Sequence, residues 1–324
     1  MKCRICGNVE HNRAILLKEN QHGTLEKFQY FQCSSCECIQ IADIPSDPGK
    51  YYPKNYFAFD PKNGDTYLQK DLGFFKRTQT DYLIFGRQPV LGRLFTIGYP
   101  VHRLIQWLRN MRLNKDAAVL DIGCGTGTYL KQMYQMGYSD LTGVDPFIER
   151  DYIFSGNFRI LKRDPLEIEG NKKFDCIMMH HSFEHMVQER EVLEKAKELL
   201  KPGGTILVRI PIYSQPLMEK YGDSLVSLDA PRHIYVHSTK SMKLICSQSG
   251  LNVDRVVYDA DAFSFWASEQ YARGIILTDK NSYDVTKTGS IFTEAQIKEF
   301  KKEIKKLNEE GRSDAAAFYI SAAG

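Results

Sequence analysis

From residue 117 onward, short runs of apolar residues alternate with longer segments in which apolar positions recur every three or four residues. The first pattern marks buried strands and the second amphipathic helices. "AAVLDIG" predicts a strand, "GTYLKQMYQMG" a helix closed by Gly137, "LTGVD" a second strand and "FRILKRD" a weaker third. The strand "FDCIMMH", the helix "EREVLEKAKELLKPGG" and the strand "TILVRIP" continue the series. The helix "STKSMKLICSQSG", with Ser238 as its N-cap, leads to the strand "LNVDRVVY". This order predicts an α/β fold built on a doubly wound, Rossmann-like sheet. Residues 259–312 interrupt it as a largely helical insertion, and "DAAAFYISA" predicts a last strand.

Before residue 117 the pattern is different. "ILLKEN" and "KFQYFQC" predict short strands between the pairs "CRIC" and "CSSC", and an aromatic linker containing "YYPKNYF" follows. Residues 76–115 carry Lys76, Arg77, Arg87, Arg93, Arg103, Arg109, Arg112 and Lys115 against a single acid, Asp81. Ile97, Val101, Leu104, Ile105, Leu108 and Met111 fall near helical spacing, which predicts a basic amphipathic helix. Such a helix serves as a cap with a solvated face, holds a phosphorylated ligand, or lies on an anionic membrane. The expected organisation is a zinc ribbon over 1–45, a linker and basic helical cap over 46–115, and an α/β domain over 116–324.

Composition narrows the classes. A chain of 324 residues with 43% hydrophobic and 26% charged residues is long enough for one enzyme domain and a smaller module. A net charge of +3 is too small to argue for nucleic acid. No apolar run is long enough to span a bilayer, and "MKCRICGN" is not a secretory signal. The expected location is cytoplasmic, with the basic helix as a peripheral contact to the inner membrane face. In a reducing compartment, paired cysteines point to metal rather than disulfides. Cys3, Cys6, Cys33 and Cys36 form two C-x-x-C knuckles suited to one structural, tetrahedral Zn(II). Cys38 is left over and leaves the choice at the second knuckle open; a redox pair is the rival reading.

Two motifs carry candidate chemistry. In "VLDIGCGTGTYL", Gly123, Gly125 and Gly127 let a strand–helix turn approach a ligand closely, with Cys124 between the first two. Asp121 precedes the glycines, where a carboxylate would repel a pyrophosphate but receive an ammonium group. Asp145, at the end of the second strand, is placed to accept ribose hydroxyls, and Asp164, after the third, an adenine amino group. Ammonium, ribose and adenine together describe S-adenosylmethionine. The second motif, "HHSFEHM", holds His180, His181 and His185 around Glu184 and matches the H-x-x-E-H pattern of inverted zinc peptidases. That reading fails on context, because the motif ends a strand and opens a helix.

Through "VLDIGCGTG", "GVDPF", "FDCIMMHHSFEHM" and "LKPGGTILVRIP", residues 117–258 resemble class I S-adenosylmethionine-dependent methyltransferases. The resemblance implies that the loop with Asp121, Gly123 and Gly125 holds the methionine part, that Asp145 holds the ribose, and that His180 lines the cofactor. With the ribbon, the "YYPKNYF" linker and "DAPRHIYVHS", the chain further resembles bacterial methyltransferases, many of which serve sugar or polysaccharide biosynthesis. A small-molecule or sugar-linked acceptor is therefore expected. His181 and His185, with His233 and Tyr235 from "DAPRHIYVHS", are the candidates to deprotonate or orient it, and Arg232 to pair with its phosphate or carboxylate. Some family members that methylate hydroxyls hold a divalent cation with E-x-x-E-H and a later histidine. Here His181 replaces the first acid, which suits a softer metal than Mg(II). A nucleic-acid methyltransferase gripping its substrate with ribbon and basic helix is the other alternative. The absence of an N-P-P-Y-type motif argues against it.

Overall fold

The computed structural model describes residues 1–52, 58–59, 73–97, 101–286 and 291–323. Of the "YYPKNYF" linker, Tyr51 and Tyr52 are among them and 53–57 lie outside. The described strands are β1 (Arg13–Lys18), β2 (Lys27–Gln32), β3 (Ile39–Ile41), β4 (Ala118–Ile122), β5 (Asp140–Val144), β6 (Tyr152–Ser155), β7 (Phe158–Leu161), β8 (Phe174–His180), β9 (Leu200–Pro211), β10 (Tyr235–Val236), β11 (Leu251–Tyr258) and β12 (Ala315–Ala322). The helices are α1 (Phe74–Phe85), α2 (Pro89–Thr96), α3 (Arg103–Met111), α4 (Thr128–Gln135), α5 (Glu189–Leu199), α6 (Gln215–Tyr221), α7 (Thr239–Gln248), α8 (Phe263–Ala272), α9 (Tyr283–Thr286) and α10 (Glu294–Glu309).

The chain divides into two compact units. The one built from Lys54–His180 and Glu194–Leu207 holds the parallel sheet, in the order β9-β8-β4-β5-β7-β6. Strands β8, β4, β5 and β7 run parallel. Every residue of β4 is buried, as expected for a central strand of a parallel sheet. The weak third strand proves to be the second arm of a hairpin. β6 pairs antiparallel with β7 across Gly156-Asn157, a two-residue turn signal that the expectation of a lone strand overlooked.

The other unit comprises Met1–Pro53, His181–Leu193 and Val208–Ala323. It contains the antiparallel sheet β1-β2-β3-β10 and the order β11-β12-β9, with β9 running from one unit into the other. β10 pairs with β3, Tyr235 opposite Gln40, so the "DAPRHIYVHS" segment closes the sheet begun by the N-terminal strands. That pairing lies within the unit that also holds residues 1–53 and 208–323. The 259–312 segment is helical as expected, and Trp266, Ala267, Tyr271, Phe292 and Ile297 form a core of its own with Val226. Ser238 caps α7 through a capping box with Ser241.

The predicted basic helix is shorter than its apolar spacing suggested. α3 begins at Arg103, buries Leu104, Ile105, Trp107 and Leu108, and leaves Ile97 and Val101 outside it and exposed. Gly98 and Pro100 in the intervening sequence disfavour continuing one helix through both.

Candidate active site

In the unit with the parallel sheet, the loop between β4 and α4 takes a left-handed backbone at Gly123, Gly125 and Gly127. Two of these positions admit no side chain. A Cβ on Gly127 would stand 2.0 Å from Ile160 Cδ1, and one on Gly125 would stand 2.5 Å from the Ala58 carbonyl oxygen. That carbonyl also accepts a hydrogen bond from Thr126 N at 2.9 Å, so the linker backbone runs against the loop. Asp145 secures the loop from the end of β5. Its Oδ2 accepts from Gly125 N at 2.9 Å and its Oδ1 from Phe147 N at 2.8 Å. Asp121 is buried, and its Oδ1 has no hydrogen-bond partner. Burial, and then the nearby Asp145 charge, push the Asp121 carboxyl well above its usual range. Cys124 turns its Sγ to the Gly125 carbonyl at 3.2 Å. Asp164 is exposed and caps a single turn through Leu166 N. His180 stacks on Trp107 at 4.5 Å and meets the Tyr129 ring at 4.7 Å. Trp107, from α3, was not singled out in the sequence, because it reads there as one more apolar helix position.

The histidine motif lies in the other unit from His181 onward. No helix carries it: Phe183–His185 is one 3-10 turn, and His181 adopts φ 49°. The shared helical face that a peptidase motif requires is therefore not formed. Glu184 is completely buried. Neither of its carboxylate oxygens makes a regular hydrogen bond, and His181 Nδ1 stands 3.4 Å away. Burial alone would raise this carboxyl, but His181, His185 and His233 outweigh it and hold it down at about 2.

Hydrogen-bond partners assign the tautomers. A carbonyl only accepts, so His185 Nδ1, 2.8 Å from the Arg232 carbonyl oxygen, carries the proton; Tyr52 Oη lies 3.2 Å from the same nitrogen. His233 Nδ1 likewise donates to the Ser227 carbonyl at 2.9 Å. In these tautomers Nε2 of each ring carries the lone pair, and among the described residues neither Nε2 makes a hydrogen bond. His233 Nε2 stands 3.8 Å from Glu184 and 3.7 Å from Asp229, and the two rings are 4.8 Å apart. One ligand atom each from Glu184, His185 and His233 lies within 4.8 Å of the others. Burial is the main reason that the His185 imidazole is lowered from its ordinary value, which favours its neutral form. His181 has a different role. Arg209 donates to its Nε2 while also bonding Asp259 at 3.0 Å. Its proton therefore sits on Nδ1 and faces Glu184, so His181 orients the carboxylate and has no free basic nitrogen.

Two expectations change here. Tyr235 does not join the cluster; its hydroxyl accepts from Arg4 Nε at 3.2 Å, and its ring stacks on His237. Arg232 is buried, donating to Asp229, to Gln21 at 3.0 Å and to the Tyr51 carbonyl at 3.2 Å, with Glu19 at 3.5 Å. Its charge is satisfied inside the protein rather than offered to an acceptor. Arg209, Asp229 and Asp259 were not marked in the sequence: Arg209 reads there as part of the strand "TILVRIP", Asp229 as the first residue of "DAPRHIYVHS", and Asp259 as the residue after the strand "LNVDRVVY".

The four knuckle cysteines converge, and Cys38 does not. The Sγ atoms of Cys3, Cys6, Cys33 and Cys36 all lie within 4.8 Å of one another. Cys6 N and Cys36 N each approach the first sulfur of their knuckle at 3.5 Å, and Gln40 Nε2 donates to Cys3 Sγ at 3.1 Å. Cys38 is buried elsewhere, its Sγ on the Ile39 carbonyl.

Residues 98–256 match the family model described as a methyltransferase domain. EEF1A lysine methyltransferase 2 of Danio rerio is 34% identical over 73 residues, covering 22% of this chain and 30% of that protein. The ubiquinone biosynthesis O-methyltransferase of Azorhizobium caulinodans is 28% identical over 108 residues, 31% of this chain and 42% of its own length. The chain thus spans less than half of either relative. A solved S-adenosylmethionine-dependent methyltransferase from Geobacter sulfurreducens, in complex with S-adenosyl-L-homocysteine, is 18% identical. The match covers 71% of this chain and 98% of that one, with a TM-score of 0.42. Residues 98–256 are thus similar to a methyltransferase domain, and the strand order is that of a Rossmann-like α/β fold.

Proposed function

We propose that this protein transfers a methyl group from S-adenosylmethionine to a small-molecule or glycan-linked sugar acceptor, with histidine-assisted removal of the acceptor's proton. The observation that carries the reading is the pair of imidazoles, His185 and His233, each fixed through Nδ1 on a backbone carbonyl with Nε2 left basic. The residues present fit the cofactor. The unpartnered, buried Oδ1 of Asp121 calls for a cationic donor such as the cofactor's ammonium, and the glycine loop leaves room that a Cβ would fill. Asp121, Gly123, Cys124, Gly125, Asp145, Asp164 and His180 are the proposed cofactor residues. The cofactor supplies an activated methyl group on a sulfonium; the protein must hold the acceptor in line and take its proton. His185 or His233 takes that proton at Nε2, and Glu184 then stabilises the imidazolium across the cluster. His181, held by Arg209, keeps Glu184 in place. Cys3, Cys6, Cys33 and Cys36 hold one structural Zn(II), a donor set that fills the metal's coordination shell.

A second reading has its own support. Histidines that ligate a metal commonly donate their other nitrogen to a carbonyl, as His185 and His233 do here beside the Glu184 carboxylate. A divalent cation held by these three would lower the pKa of an acceptor hydroxyl and make the enzyme a metal-assisted O-methyltransferase. One experiment separates the readings. Nucleotide-sugars are screened with isotopically labelled S-adenosylmethionine, with and without EDTA, while the ribbon zinc is monitored. Turnover that survives EDTA and collapses in His185→Ala supports the histidine base. Turnover lost with EDTA and restored by a divalent ion, with the zinc retained, selects the metal. Methylation of RNA or a protein in place of any sugar would overturn the acceptor class.

A further inference from the structure

The helices α1 and α2 carry an apolar surface that the methyl-transfer reading does not use. They pack on each other where Gly92 meets Tyr82, with no room for a Cβ between them, and Gln79 Nε2 donates to the Phe95 carbonyl at 3.0 Å. Packing at that seam leaves the opposite side of α2 without protein cover among the described residues. Val90 is 82% exposed, Leu94 60% and Ile97, at the C-terminal end of α2, 71%. Their spacing of four and three residues puts them on one side. Phe74 and Phe75 extend the apolar surface from α1: both are more than 60% exposed, and Phe75 meets Phe95 at 4.9 Å.

Charge decides what this surface fits. Between residues 73 and 97 stand Lys76, Arg77, Arg87 and Arg93, all exposed, against one acid. That acid, Asp81, is paired with Lys115 at 2.5 Å. A second copy would bring the same positive charge against itself, which disfavours self-association. Apolar side chains ringed by arginine and lysine match an anionic interface, where the chains enter the acyl boundary and the cations meet phosphate. No helix among the described residues is long and apolar enough to cross a membrane. We propose that the α1–α2 hairpin docks this protein on an anionic phospholipid surface. The inference does not depend on the acceptor or on the methyl-transfer mechanism.

The test is vesicle flotation of the full chain. Phosphatidylcholine vesicles are compared with vesicles in which a third of the lipid is phosphatidylglycerol. The expected result is binding to the anionic vesicles only, weakened by salt. The triple variant Val90→Ser, Leu94→Ser, Ile97→Ser should bind at least about tenfold more weakly. Arg87→Glu with Arg93→Glu should lose the preference for anionic lipid. All five positions are exposed, so thermal melting and S-adenosyl-L-homocysteine affinity should stay at wild-type values. Absence of binding to anionic vesicles, or variants that bind like wild type, would overturn the proposal. So would a concentration-dependent dimer, abolished by the three serines, in a protein that ignores vesicles; the surface would then be a self-association interface.

Discussion

The glycine loop and the histidine cluster are built in opposite ways. The loop is one continuous segment whose function lies mainly in its backbone: turns at Gly123, Gly125 and Gly127, closed by one carboxylate, Asp145. The cluster is assembled from side chains contributed by distant segments. Tyr52, His181, Glu184, His185, Arg209, Asp229 and His233 reach it from four parts of the chain, and the Ser227 carbonyl orients His233. A backbone site tolerates change in most of its side chains and fails when a glycine is filled. A side-chain site depends on each member's proton and orientation, so single substitutions should act there through chemistry rather than shape.

The largest expected effect concerns neither region, but the support beneath one of them. The strand β3, which pairs with β10 next to the His233 loop, follows directly on the four converging cysteines. The structural zinc proposed for these cysteines would contribute on the order of 10 kcal/mol to so small a segment. Cys33→Ser should lose the metal and unfold the ribbon, as read by metal analysis and limited proteolysis. Cys38→Ser should keep the zinc. The reverse outcome would move the second knuckle to Cys38.

Within the cluster, the tautomers predict unequal members. His185→Ala should lower kcat by roughly two to four orders of magnitude with cofactor affinity unchanged. His181→Ala, which removes only the hold on Glu184, should cost roughly tenfold. Equal losses at the two positions would show that His181 is not merely a positioning residue. The comparison with the glycine loop would then lose its sharpest distinction.

How much of this was legible in the sequence follows the same division. The alternating strands and helices, the glycine loop, the C-x-x-C pairs and the capped helix after Ser238 are local patterns, and local patterns survive in one dimension. The β6–β7 hairpin was legible too, in Gly156-Asn157, but was masked by the stronger parallel pattern around it. Trp107 against His180, Arg209 against His181 and the burial of Arg232 by Asp229 depend on contacts between distant segments. Periodicity says that Trp107 is buried, not which ring it meets. Arg232 shows the cost of reading charge without burial: in sequence it looked like a hand for the substrate, and in the fold its partners are internal.

That internal pair supplies the next effect. Asp229 would be raised by burial, but Arg232 and His233 reverse this and hold its carboxyl below the ordinary range. A carboxyl lowered in the folded state stabilises fully above its unfolded pKa of about 4, and that contribution disappears as pH falls through the lowered value. Asp229→Asn should cost about 3 kcal/mol near neutral pH, because buried Arg232 loses its nearest carboxylate and keeps only Glu19, at 3.5 Å, as a charged partner. The variant should also lose less further stability than wild type between about pH 5 and about pH 3. Urea unfolding at the two pH values measures both. Parallel losses on acidification would mean that Asp229 is not held low.

Asp145 tests the backbone side of the comparison, with a smaller effect. Its two oxygens already accept from Gly125 N and Phe147 N, and each retains a lone pair for a ribose hydroxyl. Replacement by alanine therefore removes both acceptors proposed for the ribose and loosens the loop at once. Asp145→Ala should weaken S-adenosyl-L-homocysteine binding by about 2 kcal/mol, roughly thirtyfold. Asp145→Asn keeps one carbonyl acceptor and the shape of the side chain, so its affinity should fall between alanine and wild type. Asp164→Ala, on an exposed turn, should change affinity by less than about fivefold. Calorimetry with the three variants ranks them directly. Unchanged affinity in Asp145→Ala, or tight NAD binding by the wild-type protein, would remove the ribose from this aspartate. An asparagine variant no better than alanine would instead show that the charge, rather than the loop geometry, does most of the holding.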